Sequence, residues 1–288
     1  MTLAIDIGSN TIKCLLGRAR GGIVEKLYEK SLDCRILQSG GILVPDAADM
    51  ISEAVALFER EASEFCPNFE TELVATSALR GSVSREAVVA EVVRKTSRKI
   101  RVLSGEEEAD LSFRGAMSDP LVKASFPCAY FDLGGGSLEI VAGGAGGVEF
   151  SASIPVGAVR LTRGCASADE YFSVSKKAFE SALKDFPKTR TLIGAGGAVV
   201  AARFMKKMFF DAGAENEIPL DILKKCYAVV SSMSAAERVE KLRISAGRAD
   251  IIPAAFACII SLMEFLGKET LVHTFHNLRY GIILSKEK

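Results

Sequence analysis

Tyr130-Phe131-Asp132-Leu133-Gly134-Gly135-Gly136-Ser137-Leu138-Glu139-Ile140-Val141 decides how this chain is read. An apolar run brings Asp132 to the end of a strand, three glycines turn the chain, and alternation resumes through Glu139 as a second strand. Glycines leave main-chain N–H groups open to an anion at close range, with no Cβ in the way. In a dinucleotide-binding unit the glycine loop opens a helix, whereas here a strand follows it. The stretch therefore reads as a phosphate-holding β-hairpin with a carboxylate on each arm. The plainer alternative is a tight hairpin whose glycines serve turn geometry alone.

A second copy weighs against that alternative. The chain begins Ala4-Ile5-Asp6-Ile7-Gly8-Ser9-Asn10-Thr11-Ile12-Lys13-Cys14-Leu15-Leu16-Gly17, in which Asp6 falls on Asp132, Gly8 on Gly134, Thr11 on Ser137 and Gly17 on Gly143. Each copy runs on into a glycine pair, Gly21-Gly22 and Gly146-Gly147, which suits a turn into a third strand. A repeated strand–turn–strand unit implies two similar α/β lobes, each offering an Asp and a hydroxyl-lined backbone to a shared cleft.

The 288 residues are enough for a large core, and 36 basic residues balance 36 acidic ones, so no net charge argues for nucleic acid as a partner. The seven cysteines include no C-x-x-C pair and read as small hydrophobes in a reducing compartment. The N-terminus enters a strand at once, without a signal peptide. The longest apolar stretch, Ile251 to Met263, contains Pro253 and falls short of the ~20 residues of a membrane span. The expectation is a cytoplasmic protein with no membrane partner.

Elsewhere the pattern places helices and strands around the two hairpins. Asp46 suits the cap of a helix whose inner face is Ile51, Ala54, Val55, Phe58, Ala62 and Phe65. Thr76-Ser77-Ala78-Leu79-Arg80 follows a strand and suits an anion; the same residues also suit a helix start with a solvated Arg. Arg94, Lys95, Arg98, Lys99 and Arg101 read as a solvated helix end or as the approach of a polyanion. Ser104 with Glu107 forms a capping box, which leaves Glu106 and Glu108 without a local explanation beyond complementing the helix dipole. Gly194-Ala195-Gly196-Gly197-Ala198 joins a strand to a helix, so Gly196 and Gly197 present a helix N-terminus to an anion or nucleotide phosphate.

The stretches IDIGSNTIK, VATSALR, LSGEEEADLSFRGA, FDLGGGSLEIV, PVGAVRLT, IGAGGAVVA, RADIIPAA and LRYGI occur in this order along nearly the whole chain. Together they resemble the exopolyphosphatase/guanosine pentaphosphate phosphohydrolase family of the actin-like ATPase and sugar-kinase superfamily. The resemblance implies two ribonuclease-H-like lobes, over residues 1–121 and 122–288, with the last ~15 residues able to pack back on the first lobe. It implies hydrolysis of a terminal phosphoanhydride of inorganic polyphosphate or guanosine pentaphosphate with a divalent cation, usually magnesium. By the same resemblance Glu108 is the general base, and Asp6, Asp132 and Glu139 are the acids for the metal. Ser9, Asn10, Arg80, Gly134, Gly135, Gly136 and Ser137 carry over as phosphate contacts. The match is to a short form without the C-terminal helical domain of longer members, and a homodimer is a family-level expectation. A phosphate-binding regulator without turnover is the reading from another class.

Overall fold

A computed structural model describes residues 1–9, 11–37, 42–210 and 215–287, so Asn10 lies outside the described residues. The chain divides into two compact units, Met1–Pro120 with His276–Lys288, and Leu121–Phe275.

In the first unit β1 (Thr2–Ile7), β2 (Thr11–Arg20) and β3 (Ile23–Asp33) form an antiparallel meander, followed by α1 (Ala47–Phe65), β4 (Glu70–Ala75), α2 (Ser77–Arg80), α3 (Arg85–Thr96), β5 (Ile100–Val102) and α4 (Gly105–Met117). The sheet runs β3-β2-β1-β4-β5, with β4 and β5 parallel to β1. Strand alternation assigns the two faces. Leu3, Ile5 and Ile7 of β1 pack with Ile51, Ala54, Val55, Phe58 and Ala62 of α1, while Ala4 packs on the other face with Leu111 of α4 and Tyr280 and Ile282. Asp6, in phase with Ala4, belongs to that second face.

The second unit repeats the plan. It contains β6 (Cys128–Leu133), β7 (Leu138–Gly144), β8 (Gly147–Ile154), α5 (Ala158–Gly164), α6 (Ala168–Ala182), β9 (Thr191–Ala195), α7 (Gly197–Phe209), β10 (Glu217–Pro219), α8 (Leu220–Ser231), α9 (Ala235–Leu242), α10 (Ala246–Ala249), α11 (Ile252–Phe265) and β11 (Thr270–His273). Its sheet runs β8-β7-β6-β9-β11-β10, the order of the first sheet with one antiparallel strand added at the edge. Both meanders bulge at the same place in the repeat, between Leu16 and Gly17 and between Ala142 and Gly143. The duplication therefore extends to register.

The final helix, α12 (Leu278–Leu284), belongs to the first unit and packs on α4. Two glycines permit the approach: a Cβ on Gly281 would lie 1.8 Å from the Leu111 carbonyl oxygen, and one on Gly115 would lie 2.2 Å from that of Asn277. Buried Arg279 anchors the helix to the sheet through the Cys14 carbonyl, 2.8 Å, and the Glu29 carboxylate, 2.8 Å.

Several local expectations meet the structure differently. Asp46 stands at the N-cap of α1, but its side chain caps nothing, because its backbone (φ −94°, ψ 12°) lacks the extended shape that brings a capping side chain back over the first turn. Phe65 is 54% exposed and stacks on Tyr28 instead of entering the core. In the basic stretch, Arg94 pairs with Glu91, Lys95 with Asp49 and Arg98 with Glu59, so these three charges are engaged in ion pairs, two of which tie the α3 end to α1. All seven cysteines are free thiols. Among the described residues no helix is long and apolar enough to cross a membrane.

Candidate active site

The hairpin between β6 and β7 closes with Leu133 opposite Leu138 and the Gly134 N–H donating to the Ser137 carbonyl at 3.0 Å. The hairpin between β1 and β2 closes identically, Gly8 N–H to the Thr11 carbonyl at 3.1 Å. The tip of the second hairpin is Gly135-Gly136, and Ser9 follows Gly8 at the corresponding place of the first. Because the Gly134 N–H is committed within the turn, the donors that remain for an anion are those of Gly135, Gly136 and Ser137.

The start of α5 lies under this tip. The Gly134 carbonyl accepts from the Ala158 N–H at 3.0 Å, and the Gly135 carbonyl accepts from the N–H groups of Val159 and Arg160 at 2.9 and 3.0 Å. None of Gly134, Gly135 and Gly136 takes a left-handed φ, so turn geometry does not demand glycine at these positions. The crowded position is Gly157, the N-cap of α5, where a Cβ would fall 2.3 Å from the Gly135 carbonyl carbon; a Cβ on Gly134 would make an ordinary contact, 3.4 Å from the Ser137 carbonyl oxygen. Gly136 is exposed, and a Cβ there would meet nothing within 4 Å. The fold supplies no steric reason for its missing side chain.

Asp132 and Glu139 are directly opposite in the antiparallel pair, so both carboxylates emerge on one face with Cβ atoms roughly 5 Å apart. Glu139 Oε1 accepts from the hydroxyls of Ser137 at 2.5 Å and Ser153 at 2.9 Å. Burial pushes the Glu139 carboxyl above the ordinary range, the Asp132 charge adds to that, and the two hydroxyls oppose it. Two adjacent carboxylates with serine oxygens make an all-oxygen donor set, which fits a hard divalent cation such as magnesium. Magnesium takes one or two carboxylates and completes its shell with water and phosphate oxygens, so this pair suffices in number. Among the described residues no cluster of three or more His, Cys, Asp and Glu side chains is assembled.

The third glycine turn borders the same carboxylate. Gly196 has φ +97°, and a Cβ on it would lie 2.7 Å from Asp132 Oδ1. Glycine is required there on two counts, conformation and space. At Gly197 a Cβ would collide with the Arg248 guanidinium, 2.3 Å from Cζ. Arg248 thus lays an exposed cation over the N-terminus of α7, a place where helix dipole and charge both favour an anion.

In the first unit Arg80, at the end of α2, donates from Nη1 to Glu108 Oε2 at 2.8 Å and to the Leu103 carbonyl at 2.9 Å. The capping box forms as its sequence requires, Glu107 N–H to Ser104 Oγ at 3.1 Å and Ser104 N–H to Glu107 Oε2 at 2.9 Å. It fixes the first turn of α4 and leaves Glu108 to be oriented by Arg80. The structure therefore brings Arg80 together with Glu108, and Asp132 together with Glu139, Ser137 and Gly196. Asp6 stands on β1 opposite Lys13, in the place that Asp132 takes opposite Glu139.

Residues 23–288 match the model of the Ppx/GppA phosphatase family. The chain belongs to that family. Exopolyphosphatase 2 of Mycobacterium tuberculosis is 31% identical, the alignment covering 98% of this chain and 97% of that protein. The guanosine-5'-triphosphate,3'-diphosphate pyrophosphatase of Photobacterium profundum is 23% identical over 97% of this chain and 58% of its own length. The crystal structure of an exopolyphosphatase from Cytophaga hutchinsonii superposes with a TM-score of 0.85 at 18% identity, covering 100% of this chain and 98% of that one. The fold is thus that of the actin-like ATPase group, and membership of the family makes the chain a phosphoanhydride hydrolase.

Three residues that the structure brings to these glycine turns are not among those the sequence pointed to. Arg248 lies in the quoted RADIIPAA stretch, but only the packing of α10 brings it to Gly197. Gly157 and Arg160 lie in PVGAVRLT, and no local pattern announces that they close on a turn more than 20 residues upstream. Ser137, expected as a phosphate contact, donates its hydroxyl to Glu139 and has its main-chain N–H for an anion.

Proposed function

We propose that this family member is a divalent-cation-dependent exopolyphosphatase that releases terminal orthophosphate from inorganic polyphosphate. Gly136 carries the proposal: it is a glycine without left-handed φ and without a neighbour to crowd it, on an exposed turn beside two carboxylates. Such a glycine has its reason outside the protein, in a ligand that approaches the main chain closely. Polyphosphate is favoured as the substrate because the relative named an exopolyphosphatase is the more similar one and matches along its whole length.

Phosphoryl transfer asks the protein mainly for positioning and charge stabilisation. The N–H groups of Gly135, Gly136 and Ser137 would bind phosphate oxygens, with Ser9 and Asn10 as further phosphate contacts proposed from the family resemblance. Glu108, oriented by the Nη1 group of Arg80, would accept the proton of the attacking water. The remaining guanidinium donors of Arg80 would serve the phosphate role that the family resemblance implies for it. Asp132 and Glu139 would hold the cation; Asp6, in the equivalent place of the first hairpin, is the carboxylate proposed for that role in the first unit. Magnesium, when bound, supplies charge neutralisation at the phosphoanhydride oxygens.

Hydrolysis of guanosine pentaphosphate is the second reading, favoured by the similarity to the Photobacterium protein. Initial rates of phosphate release from long-chain polyphosphate and from guanosine pentaphosphate, each with magnesium, separate the two. Faster turnover of polyphosphate supports the proposal. Turnover of the nucleotide alone replaces it with the second reading, and no release from either across several metals leaves a phosphate-binding regulator.

A further inference from the structure

We propose that Arg160 is a positioning residue of the phosphate turn, whose side chain aims the Ser137 N–H. The proposal rests on the phosphoanhydride reading above and deepens it. In a trans peptide the C=O and N–H of one plane point in opposite directions. Whatever holds the carbonyls of Gly134, Gly135 and Gly136 therefore sets the directions of the N–H groups of Gly135, Gly136 and Ser137. The first two carbonyls are held by main-chain donors of Ala158, Val159 and Arg160, which a side-chain change at Arg160 leaves in place. The Gly136 carbonyl is held by a side chain, Arg160 Nε, at 2.9 Å.

All three carbonyls thus reach toward the first turn of α5, and the three following N–H groups point together to the opposite side. Three convergent donors suit the three oxygens of a terminal phosphate. Gly157 makes this packing possible, since any side chain there would strike the Gly135 and Gly136 main chain within 2.4 Å. The Arg160 bond is not needed to satisfy the carbonyl it serves: Gly136 is exposed, and water could take the same place. What water does not supply is a fixed direction for the Gly136–Ser137 peptide plane. Arg160 is itself exposed, so the fold tolerates its replacement.

The test uses the full chain labelled with nitrogen-15 and titrated with inorganic phosphate, following the amide signals of Gly135, Gly136 and Ser137. In the wild type all three are expected to shift together. In Arg160→Met the Gly135 and Gly136 responses persist and the Ser137 response falls at least about threefold, because only its peptide plane has lost its tether. In parallel kcat for phosphate release falls about tenfold, less than the ~10²–10³ that follows from deleting an oxyanion donor outright. KM stays within about threefold, and Arg160→Lys, which keeps a cationic donor group at the end of a long side chain, recovers part of the loss. An unchanged Ser137 response in Arg160→Met overturns the proposal, as does a loss of all three responses, which would mark a general disturbance of the turn. No response at any of the three amides in the wild type refutes the phosphate reading itself, and the proposal with it.

Discussion

Gly136→Ala is expected to move stability and activity in opposite directions. The residue does not occupy the left-handed region, and the position of its missing Cβ is surrounded by open space. Alanine therefore introduces no clash and lowers the conformational entropy of the unfolded chain, which stabilises by about 0.4–1 kcal/mol. At about 2–4 °C per kcal/mol for a chain of this size, Tm rises by roughly 1–4 °C. In the working enzyme the same methyl stands beside the three donors. A phosphate oxygen that must come within about 3 Å of an N–H is held off by a carbon whose contact distance is about 3.5–4 Å. Loss of one such donor lowers kcat about 10²–10³-fold, or about 2.7–4 kcal/mol of transition-state stabilisation. Thermal unfolding and initial rates of phosphate release from polyphosphate, measured on one preparation, give both numbers. A raised Tm with near-wild-type turnover would refute the reasoning, because the methyl would then occupy space that no substrate enters. A Tm lowered by several degrees would refute the other half, the claim that the fold itself does not need glycine there.

Glu108→Gln keeps an acceptor for Arg80, and the pair it replaces is partly exposed, so Tm should fall by no more than about 2 °C while kcat drops about 10²–10⁴-fold; turnover within threefold of wild type removes Glu108 from the proton transfer. Glu139 has a raised pKa when folded, so its ionisation opposes folding above that value and is without effect below the unfolded value near ~4.3. In metal-free protein Glu139→Gln should accordingly raise Tm at neutral pH, with the gain fading as the pH falls toward ~4; a Tm difference that does not change with pH contradicts this. Gly281→Ala places a methyl against the Leu111 main chain, an overlap that no rotamer relieves, and should destabilise by about 1–3 kcal/mol or more in chemical denaturation. Since Leu111 lies one turn after Glu108 on α4, kcat should fall as well; a variant as stable and active as the wild type would show that the two helices separate freely.

Both hairpins and their correspondence, Asp6 on Asp132 and Gly17 on Gly143, were legible in the amino-acid sequence, whereas the matching bulges appear only in the structure. Legible too was the capping box at Ser104–Glu107, which forms. These features depend on residues within a few positions of one another, on the two-residue alternation of strands and on hydrogen bonds that close inside a single turn. The carboxylates of Asp132 and Glu139 on the two arms were readable for the same reason, because a tight hairpin fixes its own register. Only the tertiary structure decided the contacts made across long stretches of chain. Arg80 is found on Glu108, Gly157 under Gly135, Arg160 on the Gly136 carbonyl, Gly196 against Asp132, and α12 on α4 in the first unit. Each of these is a close approach of main chain or a charged side chain to an element distant in sequence. What selects it is the packing of whole helices and sheets, where space for a single Cβ is present or absent, and no local periodicity encodes that space.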